Sequence, residues 1–212
     1  VGDGAFLAGS RVFVAGRSST TGDPQFVCDT ADIPLRGEHN VSNILAACAI
    51  TGAAGVTPDV MAATIKAFKG VPHRLETVRV LNGVTWVNDS IATAPERVMA
   101  ALKSYSEPLV LLLGGADKKL PWDELMLAAA AKCRHIVAFG RDGHIPVEVL
   151  TRLTLRDDLI TRVNTLDEAV AAAHKHAQSG DVVLLSPGMT SYDGYPNFEV
   201  RGQHFKTLVT AL

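Results

Sequence analysis

The fold is decided by residues 181–198, DVVLLSPGMTSYDGYPNF. The apolar run from Val182 to Leu185 is short, rich in β-branched residues and preceded by Gly180, as is typical of a fully buried strand. The residues after it are rich in hydroxyl groups, glycine and aromatic rings, and a helix is predicted from Phe198. Ligands of open α/β sheets bind at loops that leave the carboxyl ends of strands. We therefore interpret this loop as a candidate ligand-binding loop, with an ordinary surface loop as the alternative.

The same succession of strand, loop and helix recurs through the second part of the chain. Buried strands are predicted at 109–113, 135–139 and 160–163, and helices at 96–103, 122–132, 146–153, 166–178 and 198–211. A hairpin is predicted around Asn82-Gly83, a dipeptide that favours a two-residue β-turn. Strands that alternate with helices form a mainly parallel sheet covered on both faces. The pattern therefore predicts an α/β fold.

The first part of the chain has a different pattern. Residues 1–36 alternate short apolar segments with turns, which predicts β-hairpins that can build only a small core. Helices are predicted at 44–50 and 57–68. The first of them is apolar almost all round, so we expect it to be well buried. Gly70-Val71-Pro72 interrupts the second helix and is the candidate domain boundary.

Composition limits the kinds of partner that the protein binds. Its formal net charge of −2 argues against nucleic acid or an anionic membrane as partner. No apolar run approaches the ~20 residues that a membrane span needs. The cysteines Cys28, Cys48 and Cys133 lack metal-ligand spacing, so we expect reduced, buried thiols in a cytoplasmic protein. No signal peptide is visible. Because the sequence starts at Val1 rather than Met and its first residues resemble the middle of a protein, we expect a piece of a longer chain.

Three of the predicted strand-end loops concentrate polar side chains. They hold Asp89, Ser90 and Thr93; then Asp117, Lys118 and Lys119; and then Thr190, Ser191, Asp193 and Asn197. Loops after parallel strands open at one end of a sheet, so we expect these three to meet. Lys118 and hydroxyls of the neighbouring loops would bind a carboxylate or phosphate, helped by backbone N–H groups near Phe198. Asp89 would accept from a ribose hydroxyl or hold a cation. Each residue alone fits a helix cap or a solvated surface better than a binding role, and it is the expected meeting of the three loops that favours a site.

Two further groups of candidates lie outside these loops. Asn40 and Asn43 fall on one face near the start of the first helix, where they would cap the helix or bind the edge of a nucleobase. Arg74 would clamp a phosphate, stack on a base or form an ordinary surface pair with His73. The chain contains no GxxxxGK[ST] phosphate loop, and no histidine has metal-ligand spacing, so no metal site is predicted.

Five motifs occur in the order found in Mur ligases. They are RGEHNVSN (36–43), GVPHRLE (70–76), NDSIATAP (88–95), LGGADK (113–118), and the span from LSP (185–187) to RG (201–202). The sequence resembles this family over nearly its whole length, and within the family it is most similar to the ligases that add D-glutamate. The resemblance implies the incomplete last part of a central ATPase domain at 1–71. It implies a Rossmann-like C-terminal domain at 72–212.

The resemblance also implies a reaction. In such ligases ATP phosphorylates the terminal carboxylate of UDP-N-acetylmuramoyl-L-alanine, and the amine of D-glutamate attacks the acyl phosphate. The products are an amide used in peptidoglycan precursor synthesis, ADP and phosphate. Mg²⁺ is required. The protein is expected to be a monomer, and this piece alone is expected to be inactive because the phosphate loop is missing.

Roles for individual residues follow from the same resemblance. It implies that Asn40 and Asn43 contact adenine. It implies that Arg74 and Asp89 hold the ribose and phosphates of ATP. The two carboxylates of D-glutamate would be held by Thr93, Lys118, Ser191 and the Phe198 backbone. Lys118 and Arg74 are the implied catalytic residues.

One position departs from the family's pattern. The NDS motif is usually followed by lysine, whereas this chain has Ile91, and Lys119 or Arg97 are the candidates to replace that charge. Two alternatives therefore remain open. One is another ATP-dependent amide ligase of the Mur and folylpolyglutamate synthetase group, which a different amino-acid preference would reveal. The other is a non-catalytic nucleotide- or anion-binding module, which the missing lysine favours.

Overall fold

The structure is a computed structural model that describes residues 4–16, 23–154 and 156–212. Residues 1–3 and 17–22 of the predicted hairpin region lie outside the described residues. The chain forms two compact units, Val1–Gly70 and Val71–Leu212. No helix among the described residues has the length and apolar character needed to cross a membrane.

The first unit is a three-stranded antiparallel sheet with two helices. Its strands are β1 (Gly4–Ala8), β2 (Arg11–Ala15) and β3 (Gln25–Asp29), in the order β1-β2-β3, and its helices are α1 (Glu38–Ala53) and α2 (Pro58–Ala67). Val12 and Val14 of β2 share an apolar cluster with Cys48 of α1 and Met61 of α2. The predicted hairpin strands are thus present and form a small core.

The expectation that the first helix is well buried was wrong. Only Asn40, Cys48 and Gly52 of α1 are buried, and Ile50 is 72% exposed. Within its unit the helix packs on β1, β2 and α2, and a single small sheet covers only one stripe of a helix surface. The apolar character of α1 therefore exceeds what its own unit buries.

The second unit is a six-stranded sheet covered by helices on both faces. Its elements are β4 (Glu76–Leu81), β5 (Val84–Asn88), α3 (Pro95–Lys103), β6 (Leu109–Gly114), α4 (Asp123–Lys132), β7 (Cys133–Phe139), α5 (His144–Thr154), β8 (Ile160–Arg162), α6 (Leu166–His176), β9 (Val182–Gly188) and α7 (Phe198–Ala211). The strand order is β4-β5-β9-β6-β7-β8. Only β4 pairs antiparallel to its neighbour, so the predicted α/β fold with a mainly parallel sheet is confirmed.

Alternating side chains of the central strands build two separate cores. Leu111 and Leu113 of β6 pack into the cluster that includes residues of α3, α4 and α5. Val110 and Leu112 pack into the cluster on the opposite face, with residues of α6 and α7. Each such leucine contributes roughly 1.5–3 kcal/mol by burial. Because both faces are covered, ligands reach the sheet only at its strand ends.

The hairpin at Asn82-Gly83 forms as predicted. Both residues have a positive φ, 52° and 79°, as a two-residue turn between right-twisted strands requires. A side chain at Gly83 would also collide with the hydroxyl of Ser179. The turn thus accepts only glycine at its second position.

The strand order brings the three polar loops together. β9 lies between β5 and β6 and is parallel to both, so the loops that follow these strands leave the same end of the sheet. We name them the Asp89 loop (89–94), the Lys118 loop (115–122) and the Ser191 loop (189–197). The loop after β7 (140–143) lies beside the Lys118 loop at the same end.

Candidate functional site

Lys118 and Thr93 meet across two loops. The ammonium of Lys118 donates to Thr93 Oγ1 at 3.0 Å. Lys118 is exposed and forms no ion pair with any carboxylate among the described residues. A cation with a hydroxyl group beside it and no anionic partner is suited to a carboxylate or phosphate of a ligand. The structure thus brings together two of the site residues that the sequence predicted.

Asp117 holds the Lys118 loop in shape. Its carboxylate accepts from the Lys119 backbone N–H at 2.6 Å and from the Trp122 indole N–H at 3.2 Å. Lys119 takes a positive φ of 59° in this turn. Both oxygens of Asp117 are therefore engaged by protein donors, which leaves Lys118 as the exposed functional side chain.

The Ser191 loop is tied to the Lys118 loop by backbone pairing. Ala116 and Thr190 exchange two N–H···O bonds of 2.9 and 3.0 Å, and Thr190 Oγ1 also donates to Ala116 O at 3.0 Å. Ser191 is buried, and its carbonyl accepts from the N–H groups of Gly194 and Tyr195 in a tight turn. These bonds fix Ser191 beside the loop that carries Lys118.

The start of α7 faces the Asp89 loop. The side chain of Asn197 caps this 14-residue helix by accepting from the Val200 N–H at 2.8 Å. Ser90 Oγ donates to Phe198 O at 2.8 Å. Phe198 is the first residue of α7, as predicted, and the free N–H groups at a helix start favour anions. Its binding of an anion stays a prediction.

Arg201 joins the Asp89 loop, the Ser191 loop and the end of β6, and was not predicted as a site residue. Its guanidinium is completely buried and donates to Ser90 O at 3.0 Å, to Ser90 Oγ at 3.1 Å, to Met189 O at 3.2 Å and, at 3.4 Å, to Gly114 O. Burial lowers the pKa of Arg201 to about 10. The one sequence feature that marked Arg201 was the Arg-Gly pair of the last motif, and this pair does not indicate which distant residues Arg201 contacts.

Asp89 is a buried carboxyl rather than an exposed one. Asp89 accepts from Ser186 Oγ at 2.8 Å and from the Leu75 N–H at 3.2 Å. Burial raises the pKa of Asp89 to about 6, while the Ser186 and Leu75 hydrogen bonds and the charges of Arg74 and Arg97 act to lower it. Arg74 itself is exposed. Asp89 and Arg74, which we call the Asp89 corner, therefore combine a buried carboxyl with an accessible guanidinium.

The raised pKa of Asp89 predicts a pH-dependent stability. Because the folded pKa of about 6 lies above the model value of 3.8, the carboxyl stabilises the fold only while it is protonated. Its contribution, roughly 3 kcal/mol, is complete below pH ~4 and is lost as the pH rises to about 6. We expect Asp89→Asn to remove this dependence. Urea unfolding followed by fluorescence measures it, because both tryptophans, Trp86 and Trp122, are buried in the second unit.

His135 also makes the stability depend on pH, so the effect of Asp89 is obtained by comparing the wild-type protein with Asp89→Asn. Burial and the stacked ring of His176, 3.7 Å away, lower the pKa of His135 to about 4. This histidine therefore destabilises the fold as the pH falls from about 6.5 to 4, opposite in sign to Asp89. His135 is common to both proteins, so the difference between wild type and Asp89→Asn isolates the carboxyl. A difference that stays constant from pH 4 to pH 7 would contradict the prediction.

His73 and Asn88 form a second cluster that sequence patterns did not indicate. The amide of Asn88 lies 2.9 Å from His73 Nδ1 and donates to Glu76 at 3.2 Å and to Gly202 O at 3.3 Å. The ring of His73 also packs edge-on against Phe198, with centroids 6.2 Å apart. His73 is thus a half-buried structural neighbour of α7, whereas its sequence neighbour Arg74 is exposed.

Ile91 lies in the Asp89 loop, half-buried, where its N–H donates to His73 O at 3.2 Å. The guanidinium of Arg97 reaches the carbonyl of Ile91 at 3.4 Å. Of the two candidates to replace the missing lysine, Arg97 therefore brings a positive charge to this loop.

Asn40 and Asn43 belong to the first unit. Asn40 is buried and donates to Arg36 O at 2.8 Å, and Asn43 donates to Asn40 Oδ1 at 3.4 Å. Neither occupies the N-cap of α1, which is Gly37. Their contact with adenine stays a prediction.

The thiols and the metal-ligating side chains form no further site among the described residues. Cys28, Cys48 and Cys133 are free and buried, as predicted. Within the described ranges, no three His, Cys, Asp or Glu side chains are placed to hold a metal ion.

Comparisons with known proteins give the family context of this site. Residues 73–189 match the family described as Mur ligase, glutamate ligase domain. The chain is 42% identical over 181 residues to the UDP-N-acetylmuramoylalanine--D-glutamate ligase of Alkaliphilus oremlandii, which covers 85% of this chain and 39% of that protein. It is 36% identical over 213 residues to the ligase of the same name from Clostridium botulinum strain 657, with 99% and 44% covered.

Solved structures show the same fold. A Mycobacterium tuberculosis folylpolyglutamate synthase complexed with ADP aligns with a TM-score of 0.64 at 16% identity, over 95% of this chain and 46% of that one. MurF from Acinetobacter baumannii aligns with a TM-score of 0.62 at 20% identity, over 98% and 43%. The chain spans about two fifths of the length of the curated relatives it matches.

Proposed function

The chain belongs to the Mur ligase family, and from that premise we propose that it is part of an ATP-dependent ligase that adds D-glutamate to UDP-N-acetylmuramoyl-L-alanine. The observation that supports this most directly is the Lys118–Thr93 pair, a cation with no carboxylate partner among the described residues and a hydroxyl group next to it. The loop that carries Lys118 is paired with the loop that carries Ser191. Such a site fits a ligand with two carboxylates. The relatives of this chain are named as D-glutamate ligases.

The two units have different parts in this proposal. Residues 72–212 would be the C-terminal domain that binds D-glutamate, and residues 1–71 would be the last part of the central ATPase domain. The division of the chain after Gly70 supports this assignment. In this proposal the protein is a cytoplasmic monomer. Its substrates are small molecules, and neither nucleic acid nor a membrane is a binding partner.

The residues of this chain would bind and orient both reacting groups. Lys118 and Thr93 would hold one carboxylate of D-glutamate, and Ser191 with the Phe198 N–H would hold the other. This fixes the amine for attack on the acyl phosphate, and orientation of this kind accounts for much of the rate of such reactions. Lys118 would also offset negative charge as phosphate leaves.

Nucleotide contacts would come from the Asp89 corner and from α1. Arg74 would hold a phosphate, Asp89 the ribose, and Asn40 and Asn43 the adenine. ADP in the related synthase structure is consistent with an ATP-dependent reaction in this fold. The described residues supply no cluster suited to Mg²⁺, so no step of the reaction is assigned to an ion held by them.

The proposal is tested with the full-length protein that contains this chain. ADP release is measured with UDP-N-acetylmuramoyl-L-alanine and Mg-ATP, and D-glutamate, L-glutamate or other amino acids are added in turn. We expect release to depend on D-glutamate. The 212-residue chain alone is the control, and we expect no turnover from it because it lacks a phosphate loop.

Other outcomes identify the alternatives. Release that depends on a different amino acid would indicate another amide ligase of the Mur and folylpolyglutamate synthetase group. No release with any amino acid, from folded protein that still binds ATP, would indicate a non-catalytic binding module. Turnover by the isolated 212-residue chain would contradict the assignment of its parts.

A further inference from the structure

A fourth loop, Gly140–Gly143 after β7, contacts two of the three loops that carry the proposed D-glutamate site, the Lys118 loop and the Ser191 loop. It supplies none of the residues assigned to substrate, and no binding role was predicted for it. We name it the brace loop. Its contacts with the Lys118 loop and with the Ser191 loop are independent of each other.

The brace loop holds the Lys118 loop through Asp142. The Asp142 N–H donates to Gly115 O at 3.0 Å, and one carboxylate oxygen of Asp142 accepts from the Asp117 N–H at 2.8 Å. Lys118 follows Asp117 directly in the chain. These two bonds flank Ala116, which pairs with Thr190. Asp142 therefore fixes the backbone immediately before Lys118.

The brace loop holds the Ser191 loop through Asp193. The Arg141 N–H donates to a carboxylate oxygen of Asp193 at 3.1 Å. The approach is so close that a side chain at Gly140 would collide with the same carboxylate. Gly140 also has a φ of +78°, a conformation that glycine adopts without strain. Asp193 lies two residues after Ser191, so this contact fixes the turn that Ser191 begins.

The Asp142 carboxylate is itself oriented and charged. The Arg141 guanidinium donates to it at 2.9 Å. Hydrogen bonds from the Arg141 side chain and from the Asp117 N–H lower the pKa of Asp142, so it is an ionised acceptor at neutral pH. An ionised acceptor binds a backbone N–H more strongly than a neutral one does.

We propose that the brace loop sets the separation between Lys118 and Ser191, with Asp142 as a positioning residue for Lys118 in D-glutamate binding. This rests on the proposed function of the site. The separation matters because two carboxylates of one small ligand must meet both loops at once. A misplacement of about 1 Å in such a site can cost about 10²-fold in rate.

The test uses the full-length ligase with Asp142→Ala and Asp142→Asn. For Asp142→Ala we expect the KM for D-glutamate to rise about tenfold while the KM for ATP stays within about twofold, because the Asp89 corner does not touch the brace loop. Asp142→Asn keeps one acceptor oxygen and should recover part of the loss. The matched control is Asp158→Ala. Asp158 also pairs with an exposed arginine, Arg156 at 3.1 Å, but precedes β8 at the opposite end of the sheet.

Each outcome has a defined meaning. Equal losses for D-glutamate and ATP, or a lower melting temperature with both KM values unchanged, would show a general structural role and overturn the proposal. If Asp142→Ala does not fold, a wild-type KM for D-glutamate in Asp142→Asn overturns it. If the wild-type protein and Asp158→Ala both show no ADP release that depends on D-glutamate, the proposed function is overturned. The proposed role of Asp142 is then overturned with it.

Discussion

Replacing Lys118 with alanine in the full-length protein is expected to lower kcat/KM for D-glutamate by about 10²-fold, the cost of removing one preorganised charge-stabilising donor. Lys118 is the cation at the meeting point of the loops, 3.0 Å from Thr93, and it has no carboxylate partner among the described residues. Its loss leaves the hydroxyl of Thr93 without a neighbouring charge. The KM for ATP should stay nearly constant, since Arg74 and Asp89 lie on other segments.

Lys119→Ala is the matched control for this prediction. Lys119 is the next residue, is equally exposed, and contacts Asp117 through its backbone N–H rather than its ammonium. Steady-state kinetics with D-glutamate and ATP varied separately would measure both variants. An unchanged KM and kcat for D-glutamate in Lys118→Ala, or an equal loss in Lys119→Ala, would remove Lys118 from the site.

Replacing Arg201 with methionine is expected to lower the free energy of unfolding of the second unit by about 3 kcal/mol. Methionine fills much of the volume but donates no hydrogen bond. The carbonyls of Ser90, Gly114 and Met189 would lose their buried partner, and each unsatisfied polar group costs about 1–3 kcal/mol. Relief of the desolvation that lowers the pKa of Arg201 offsets part of this cost.

Urea unfolding followed by the fluorescence of Trp86 and Trp122 reports this loss, because both rings lie in the second unit. The matched control is Arg156→Met, since Arg156 is exposed and pairs only with the exposed Asp158 among described carboxylates. A wild-type midpoint for Arg201→Met would mean that backbone pairs such as Ala116–Thr190 hold the loops without it.

Secondary structure was largely predictable because its signals are local. The Asn82-Gly83 turn and the apolar strand that begins at Val182 depend on residues adjacent in the chain, and both formed as predicted. The burial of α1 was not predictable. A helix shows in its own sequence which residues are apolar, but whether Ile50 is covered depends on which elements pack against it.

The site shows the same division between local and distant information. Asp89, Thr93, Lys118 and Ser191 were predicted from sequence because polar residues after buried strands stand out from their neighbours, and their binding roles stay predictions. Asn88, Arg201 and the brace loop were missed, because the atoms that they contact lie far away in the chain. Arg201 and Ser90, for example, are 111 residues apart.

The sequence by itself determined the alternation of strands and helices and the family to which the chain belongs, and it indicated the loops of the candidate site. Tertiary structure alone decided that β9 lies between β5 and β6, which brings Lys118 to Thr93. It also decided that a buried guanidinium and the Asp142 carboxylate fix the loops. Local conformation follows from neighbouring residues, whereas hydrogen bonds between distant loops exist only once the sheet has set their separation.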